Sequence, residues 1–313
     1  MKKQPDKPRS RIIRNLLAAL LLAVFVFVAV KNWASLRAGW EVLRAVPGWW
    51  FFVGACLYAM TQFFGATSYY FLALRKVAWR ELYVVEWASA GINRLLPAGA
   101  GSMGVHGLYL LKRKHSVAEA VAVVAMNNIV SISTHLFMLL LVFLFVPQDF
   151  TTQQLALPSN TPYIILGLLL ALALLFGIAK IRRIVRRFMS ELWSSFRKYE
   201  LRKVALLKSA ASVICITLTN VLLLFSAIGA VGQSLPFITV FVVFSVGVAF
   251  GALFPTPGGL GGVEAGLVAG LIGFGVEPAL AIAVAILFRF ATFWMPLVVG
   301  NIIFLLVRNK NLF

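Results

Sequence analysis

A few ionisable side chains lie inside long apolar stretches of this 313-residue sequence, and they are its best candidates for chemistry. Glu264 follows the glycine-rich run PTPGGLGG, His106 follows the run PAGAGS, and Arg94 and Arg289 lie in similar apolar surroundings. Because charge is costly inside a membrane, embedded ionisable residues commonly mark a substrate or ion pathway. A carboxylate or imidazole there could carry a proton, and a guanidinium could bind a phosphate through two hydrogen bonds.

Each of these residues also has a structural explanation, which the sequence leaves open. Glu264 could simply cap the helix that follows the glycines. His106 could be a satisfied structural histidine instead of a proton carrier or a headgroup contact. Arg94 and Arg289 could form buried ion pairs, for which Glu86 and Glu264 are the available carboxylates.

The glycine-rich runs could themselves form a binding surface. Two prolines and four glycines in PTPGGLGG exclude a continuous helix, and unpaired backbone amides cannot face lipid. The run must therefore line a polar cavity or be buried in protein, and the positive end of the next helix could hold a phosphate or carboxylate. PAGAGS offers the same arrangement in the first half. The predicted substrate-binding residues are Arg94, Gly99, Gly101, Ser102, His106, Asn128, Gly258, Gly259, Gly261, Gly262, Glu264 and Arg289.

Other kinds of site are not indicated. The sequence has no HExxH, CxxC, GxSxG or Walker motif, and Cys56 and Cys215 both lie in hydrophobic runs. We therefore predict no catalytic residue, no metal and no cofactor. A net charge of +19 would suggest nucleic acid as the partner of a soluble protein. Here the Lys and Arg residues lie almost wholly between the apolar stretches, so they indicate membrane topology.

The two glycine-rich runs belong to a repeat that positions the candidate residues. Residues 95–108 and 253–267 align at a constant offset, and with three inserted residues the match extends to Asn128 and Arg289. Matched interrupted segments in two halves of a membrane protein point to a transport site near the bilayer midplane. The aligned pairs are Pro97 with Pro255, Gly101 with Gly259, Gly104 with Gly262, Val105 with Val263, and His106 with Glu264.

The composition is that of a polytopic membrane protein, since 61% of the residues are hydrophobic, 12% are charged and the mean hydropathy is +0.92. We predict one membrane domain over residues 1–313. The first apolar run lacks a clear cleavage site, so it is predicted to be a retained span and not a signal peptide. The predicted complete spans are residues 12–30, 49–74, 117–146, 162–180, 209–231 and 276–306.

The distribution of basic residues predicts the orientation of these elements. The loop at 147–161 has no Lys or Arg, whereas residues 180–208 have ten, so the first is predicted to be external and the second cytoplasmic. By the same rule, re-entrant hairpins at 83–111 and 237–274 enter from opposite faces, and both termini are cytoplasmic. The predicted fold is therefore an all-α integral membrane bundle with an inverted repeat and two re-entrant helical hairpins. The two repeats are residues 49–146 and 209–306.

Two basic segments lie outside the repeats. The segment 31–48 places Lys31, Arg37 and Arg44 on the predicted external side, and it could instead form an interfacial helix. Residues 181–208 have apolar side chains at helical spacing beneath a basic face, which is typical of a cytoplasmic amphipathic helix on an anionic membrane surface. That helix could simply anchor the junction between the halves, or it could recruit a cytoplasmic or membrane partner enzyme.

The second half, at PTPGGLGGVEAG and LFRFATFW, resembles the C-terminal signature of the lysylphosphatidylglycerol synthase transmembrane region, also called the flippase-like domain family. The stretch INRLLPAGAGSMGVHGLYLLKR (92–113) resembles that family's first-half motif, although an acidic residue often stands in the loop that reads GAGSMG here. The resemblance covers residues 12–306. It implies an inner-membrane protein whose best-studied relatives move aminoacylated phospholipid between leaflets. Those relatives carry a soluble aminoacyl-transfer domain, which we do not expect here because this chain stops at Phe313.

Three functions follow from these observations. The leading hypothesis is a translocator that moves an anionic or isoprenoid-linked lipid across the bacterial inner membrane, with membrane lipid and not nucleic acid as the partner. The second is a membrane enzyme that acts on a lipid headgroup, with His106 and Glu264 as acid and base. The third is a non-catalytic accessory subunit of a glycosyltransferase or synthase.

Overall fold

The computed structural model of the chain describes residues 41–145, 193, 196–307 and 312, except for 43, 97, 98, 254 and 255. These residues are helical with short connections and form no sheet, which confirms the predicted all-α class. We number the helices α1 Trp49–Leu72, α2 Trp79–Asn93, α3 Ala100–Lys112, α4 Val117–Phe145, α5 Lys203–Ala230, α6 Phe237–Leu253, α7 Gly262–Gly273, α8 Pro278–Arg289 and α9 Met295–Val307. A π-helical turn, Phe290–Trp294, joins α8 to α9.

Local sequence explains where several helices begin and end. Ser116 precedes α4, where its hydroxyl accepts from the Glu119 N–H and the Glu119 carboxylate accepts from the Ser116 N–H. Pro278 opens α8, at a position where no backbone N–H donor is needed. Gly232 and Gly275 follow α5 and α7 with φ angles of 77° and 83°, which glycine adopts without the steric cost of a side chain.

The same order of elements occurs twice. A long helix, a pair of shorter helices and a second long helical segment make up α1–α4 and again α5–α9. We call α2 with α3 the first hairpin and α6 with α7 the second hairpin. The helix α1 packs along α5, and the two helices of each hairpin pack against each other. This order agrees with the repeat in the sequence, whereas the inversion of one half and the entry of the hairpins from opposite faces remain predictions.

Two clusters of buried apolar side chains stabilise the bundle. One cluster lies among α5, α6, α7 and α8 and includes Trp50 of α1. The other lies among α1, α2, α3 and the start of α4 and includes Tyr199. Polar side chains join the long helices between them, since Ser68 Oγ on α1 lies 2.7 Å from Asn127 Oδ1 on α4 and 2.8 Å from Ser209 Oγ on α5. Such bonds between helices are typical of membrane bundles.

The outward surface of the bundle is apolar. Within the described ranges, the helical segments long and apolar enough to cross a membrane are Val117–Leu141, Lys203–Ala230 and Pro278–Val307. Helix α1 has 24 residues, but its composition places it outside this set. Large apolar side chains such as Ile132, Phe137 and Leu305 are exposed on α4 and α9. These faces are suited to contact lipid.

Several predicted elements lie outside the described residues. They are the spans 12–30 and 162–180, Lys31, Arg37, Pro97, Pro255 and, in the basic segment 181–208, residues 181–192, 194 and 195. Of that basic segment, residues 196–200 and 203–208 are helical, and the buried Tyr199 donates a hydrogen bond from its hydroxyl to the Leu72 carbonyl at 2.7 Å. This part of the segment therefore packs on protein at the end of α1.

Candidate functional site

The first hairpin holds a buried pair of an imidazole and a carboxylate. His106 on α3 is fully buried, and its Nε2 lies 2.8 Å from Glu86 Oε2 on α2. Its Nδ1 lies 2.9 Å from the Ser102 carbonyl oxygen one turn earlier. The ring of Tyr69 on α1 stacks on the imidazole with the ring centroids 3.8 Å apart. Three helices therefore fix the position and plane of this imidazole.

Both ring nitrogens of His106 have polar partners. Besides the Ser102 carbonyl, Nδ1 lies 3.4 Å from Ser102 Oγ, so two atoms of Ser102 can bind this nitrogen. Nε2 forms the hydrogen bond to the Glu86 carboxylate. The buried imidazole is therefore fully engaged within the first hairpin.

Close backbone approach in the first hairpin makes this contact possible. A Cβ on Gly101 would lie 2.6 Å from the Asn93 Cα, so α2 and α3 meet here only because Gly101 has no side chain. Asn93 in turn caps α3 from the other helix, since its Oδ1 accepts from the Ser102 N–H at 3.3 Å. On α1, Gly65 leaves the space that the Glu86 carboxylate occupies, because a Cβ there would lie 2.6 Å from Glu86 Oε1.

The second hairpin holds a different ion pair. Arg289 at the end of α8 is buried, and its Nε donates to Glu264 Oε1 at 2.7 Å. Its Nη2 donates to the Gly258 carbonyl at 2.9 Å, and its guanidinium lies 4.7 Å from the centre of the Phe293 ring. The other carboxylate oxygen of Glu264 accepts from the Gly261 N–H at 2.8 Å. Glu264 thus caps α7 and pairs with Arg289 at the same time.

Glycines shape the turn that this ion pair holds. The turn between α6 and α7 contains Gly258, Gly259 and Gly261 with φ angles of 59°, 69° and 83°. All three lie in the left-handed region that other residues rarely adopt. A Cβ on Gly258 would also lie 2.6 Å from the Phe293 ring and 2.8 Å from Arg94 Cδ. Gly258 is therefore required both for its conformation and for the close contact it makes.

Arg94 joins the two hairpin turns. It lies at the end of α2, and its Nε and Nη2 donate to the Thr292 carbonyl at 3.1 and 2.6 Å. That carbonyl is available because the residue four positions later is Pro296, which has no N–H to donate in a helix. The π-helical turn Phe290–Trp294 lies at the same break. The turn of the first hairpin therefore meets the turn of the second through Arg94 and Gly258.

The structure brings most of the predicted site residues into these two clusters and their junction. Arg289 has the predicted carboxylate partner Glu264, but Arg94 binds a backbone carbonyl instead of a carboxylate. Gly99 precedes α3 with a φ angle of 76°, and Gly262 is buried at the start of α7. Asn128 is half-buried on α4 and takes no part in the hydrogen bonds of either cluster described above.

Sequence reasoning missed several members of the site. Glu86 was considered a partner for an arginine, whereas it binds His106, and neither Gly65 nor Tyr69 was singled out. The carbonyl of Thr292 was missed as well, although a proline four residues after it inside an apolar helix signals a free backbone acceptor.

Tyr58 is a further residue between the two clusters. It is buried on α1, its ring packs edge-on to Trp87, and its hydroxyl hydrogen-bonds the Gln62 side chain. The charges of Arg94, Glu86 and Arg289 all act on it. A tyrosine hydroxyl can both donate and accept, so Tyr58 adds a buried polar group to α1 between the two clusters.

Across the described residues no three His, Cys, Asp or Glu side chains lie together as a metal site would require. Each of the two embedded carboxylates is instead engaged by a cationic or imidazole partner.

Comparison with known proteins places the whole arrangement in a family. A family model described as Lysylphosphatidylglycerol synthase TM region matches residues 12–300, nearly the entire chain. A search of curated proteins found no match. The matched range includes both hairpins and all of the candidate site residues.

Proposed function

Because the chain belongs to the lysylphosphatidylglycerol synthase transmembrane region family, we propose that it moves a lipid between the two leaflets of the bacterial inner membrane. The cargo in this proposal is a lipid with an anionic headgroup or an isoprenoid-linked phosphate. The family match supports a membrane protein related to lipid modification or translocation, and the contact between the two hairpin turns favours translocation.

That contact is the observation on which the proposal rests. Two interrupted helices, one from each half, end against each other, and each end is held by a buried or half-buried cation, Arg94 or Arg289. Interrupted helices with charged residues at their ends are the usual form of substrate sites in transporters built from two repeats. A purely structural bundle of apolar helices has no need of such costly polar groups at its centre.

Arg94 is the residue we expect to contact the headgroup. A guanidinium has five N–H donors, and the bonds to Thr292 are made by Nε and Nη2. The residue is half-buried and lies beside Gly258, where a side chain on the turn would block it. An anionic headgroup at this junction could therefore bind the Arg94 guanidinium without first breaking an ion pair, while the acyl chains stay in lipid.

Movement of one repeat against the other would open the junction to each side in turn. The two hairpins are not held equally. The first is packed tightly on α9, because a Cβ on Gly91 would collide with the backbone of Gly300 and Asn301. In the second hairpin, the close approaches of Gly247 and Gly266 are to residues of the same hairpin, Leu267 for Gly247 and Phe250 with the Gly247 backbone for Gly266. We therefore expect the first hairpin to move together with α9.

The alternative functions gain less support. An acid–base mechanism would need His106 and Glu264 to act on one substrate, yet each is engaged by a different partner, Glu86 and Arg289. A partner enzyme bound by residues 181–208 would depend on a segment of which half lies outside the described residues.

Reconstitution into liposomes tests the proposal. Vesicles containing headgroup-labelled phosphatidylglycerol, phosphatidylcholine or an undecaprenyl-linked lipid are prepared with and without the purified full chain, and exchange between leaflets is followed by quenching of the outer leaflet. We expect faster exchange of an anionic lipid with the protein present. The variant Arg94→Gln should slow this exchange about tenfold, equivalent to ~1.4 kcal/mol in the barrier.

A matched control separates a site effect from a charge effect. Arg80→Gln removes an exposed arginine from the same helix, α2, and should leave the exchange rate unchanged. Equal exchange in protein-containing and empty vesicles across the whole lipid panel would overturn the proposal, and equal slowing by the two variants would overturn the role of Arg94.

A further inference from the structure

A second site lies at the basic end of the bundle, well separated in sequence from the hairpin turns. A cavity of about 720 Å³ opens where α1 ends and α5 begins. Four cationic side chains line it, and no carboxylate is among its lining residues. The four are Arg75, Lys76, Arg202 and Lys208.

The backbone around this cavity adds to its positive potential. Val204 and Ala205, in the first turn of the 28-residue helix α5, line the cavity, and that turn contains no acidic residue. The amides of a helix start carry partial positive charge. The opposite partial charge, on the carbonyls that end α1, is already neutralised, because Leu72 accepts from the Tyr199 hydroxyl and Ala73 accepts from Arg202.

The cations of this cavity are not equally engaged. Arg75 forms an ion pair with Glu119 at 2.9 Å, and Glu119 also binds Lys198. Arg202 donates to the Ala73 carbonyl at the end of α1. Lys76 and Lys208 are exposed, and Lys208 Nζ lies 5.3 Å from the centre of the Phe71 ring. These two ammonium groups are the ones most suited to meet a ligand.

The apolar residues beside the cavity point to the source of the ligand. Leu201, Val204 and Leu207 expose 95%, 64% and 70% of their surface around the start of α5. Exposed leucines and valines next to a ring of lysine and arginine are typical of the boundary between hydrocarbon and headgroups. A soluble anion would gain nothing from these apolar side chains. A lipid would place its headgroup on the cations and its acyl chains on the apolar side chains.

We propose that this cavity binds the phosphate of an anionic phospholipid headgroup, with the acyl chains lying along the apolar residues at the start of α5. The site is distinct from the hairpin junction and does not depend on lipid translocation by the protein. It holds a lipid at the basic end of the bundle, which the sequence predicts to be cytoplasmic.

Native mass spectrometry of the purified full chain in detergent tests this site. Phosphatidylglycerol, phosphatidylcholine and inorganic phosphate are titrated separately. We expect phosphatidylglycerol to be retained and phosphatidylcholine to bind weakly, because its choline cation meets the lysines. In the double variant Lys76→Gln/Lys208→Gln we expect about tenfold weaker retention of phosphatidylglycerol, since two charge-assisted bonds are lost.

The control removes the same number of charges at the same end of the bundle. Lys112 and Lys114 are exposed and do not line the cavity, so Lys112→Gln/Lys114→Gln should retain phosphatidylglycerol like the unmodified chain. Equal losses in both double variants would overturn the site and assign binding to overall charge. Binding of inorganic phosphate as tight as that of phosphatidylglycerol would overturn the assignment to lipid.

Discussion

The two hairpins hold their embedded carboxylates with different chemistry. In the first, Glu86 forms a hydrogen bond with the imidazole of His106 across 2.8 Å. In the second, Glu264 faces the guanidinium of Arg289, a cation that can only donate. Two halves with matching sequence therefore hold their carboxylates differently, one by a hydrogen bond to an imidazole and the other by an ion pair.

The backbone differs between the hairpins as well. In the aligned register Ala100, the first residue of α3, corresponds to Gly258, which is still in the turn before α7. The second turn thus uses four more residues before its helix begins. As a result His106 lies in the second turn of α3, whereas Glu264 lies in the first turn of α7, where it caps the helix. The additional glycines of the second run account for the longer turn.

The largest effect is expected where the ion pair of the second hairpin is broken. Arg289→Met removes the bonds from Arg289 to the Glu264 carboxylate and the Gly258 carbonyl, and Glu264 keeps only its bond from the Gly261 N–H. Removing one partner of a buried ion pair costs ~3–5 kcal/mol, and partial exposure of Glu264 places the expected loss near the lower end, at about 3 kcal/mol. Chemical unfolding of the detergent-solubilised protein measures this loss.

Arg80→Met is the matched control for that variant, because Arg80 is exposed on α2. It should change the free energy of unfolding by less than ~0.5 kcal/mol. Equal stability of the Arg289 variant and the control would show that the second hairpin does not depend on its ion pair.

A smaller effect tests the contact that binds the first hairpin to α9. Gly91→Ala places a methyl group against the backbone of Gly300, which cannot move as a side chain can, so we expect a loss of about 2 kcal/mol. In the second hairpin, a Cβ on Gly247 would collide with the flexible Leu267 side chain, whereas the nearest backbone atom, the Val263 carbonyl oxygen, is 3.6 Å away, so Gly247→Ala should cost less. Thermal unfolding of both variants compares the two hairpins directly.

Gly104→Ala is the control for backbone propensity, since a Cβ there meets no atom within 4 Å. Alanine should be neutral or stabilise α3 by up to ~1 kcal/mol. A stable Gly91→Ala variant would mean that α2 and α9 can separate readily, and the difference between the hairpins would disappear.

Lipid exchange compares the two carboxylate contacts. His106→Gln removes the imidazole from Glu86, and Glu264→Gln removes the negative charge that faces Arg289, so each should lower the exchange rate. The expected loss is at most about tenfold, as ~1.4 kcal/mol separates tenfold rates. An unchanged rate in the His106 variant would show that the contact in the first hairpin does not contribute to exchange.

The smallest effect is expected at the end of the first hairpin. His115 follows α3, and burial lowers the pKa of its imidazole below the ordinary value, which suits the neutral ring. Its Nε2 accepts from the Arg75 N–H at 3.1 Å and its Nδ1 donates to the Leu110 carbonyl at 3.1 Å. The unfolded chain takes up the proton first as the pH falls, so stability is full above about pH 6.5 and declines below it.

Thermal unfolding midpoints measured between about pH 7 and pH 5 check this assignment. On acidification, the midpoint of the His115→Gln variant should fall less than the midpoint of the unmodified chain. The connection after the second hairpin, residues 274–277, has no histidine and adds no such dependence. An identical pH slope in both proteins would show that His115 does not contribute.

Much of the fold could be predicted because it depends on local sequence. The apolar stretches that begin at Trp49 and Val117 are helices with those starting residues, and the breaks fall in the glycine-rich runs. The ion pair of Glu264 with Arg289 was also among the expected alternatives, since few opposite charges lie in the apolar layer.

The remaining site contacts depend on how separate helices pack. His106 finds Glu86 only because Gly101 and Gly65 let α1, α2 and α3 approach closely, and nothing in the alignment of the two halves shows this. The bond of Arg94 to Thr292 joins residues from opposite halves, so it requires their relative placement. His106 and Glu264 occupy aligned positions in the sequence. The turn before Glu264 is four residues longer, so the two residues lie in different turns of their helices.

The contact of Gly91 with Gly300 has a consequence for biogenesis. These glycines lie more than two hundred positions apart, and their backbones touch only when the last helix is in place. During synthesis the glycine surface of the first hairpin is made well before α9, its partner at this contact. This part of the packing can therefore form only after the ribosome has delivered almost the whole polypeptide.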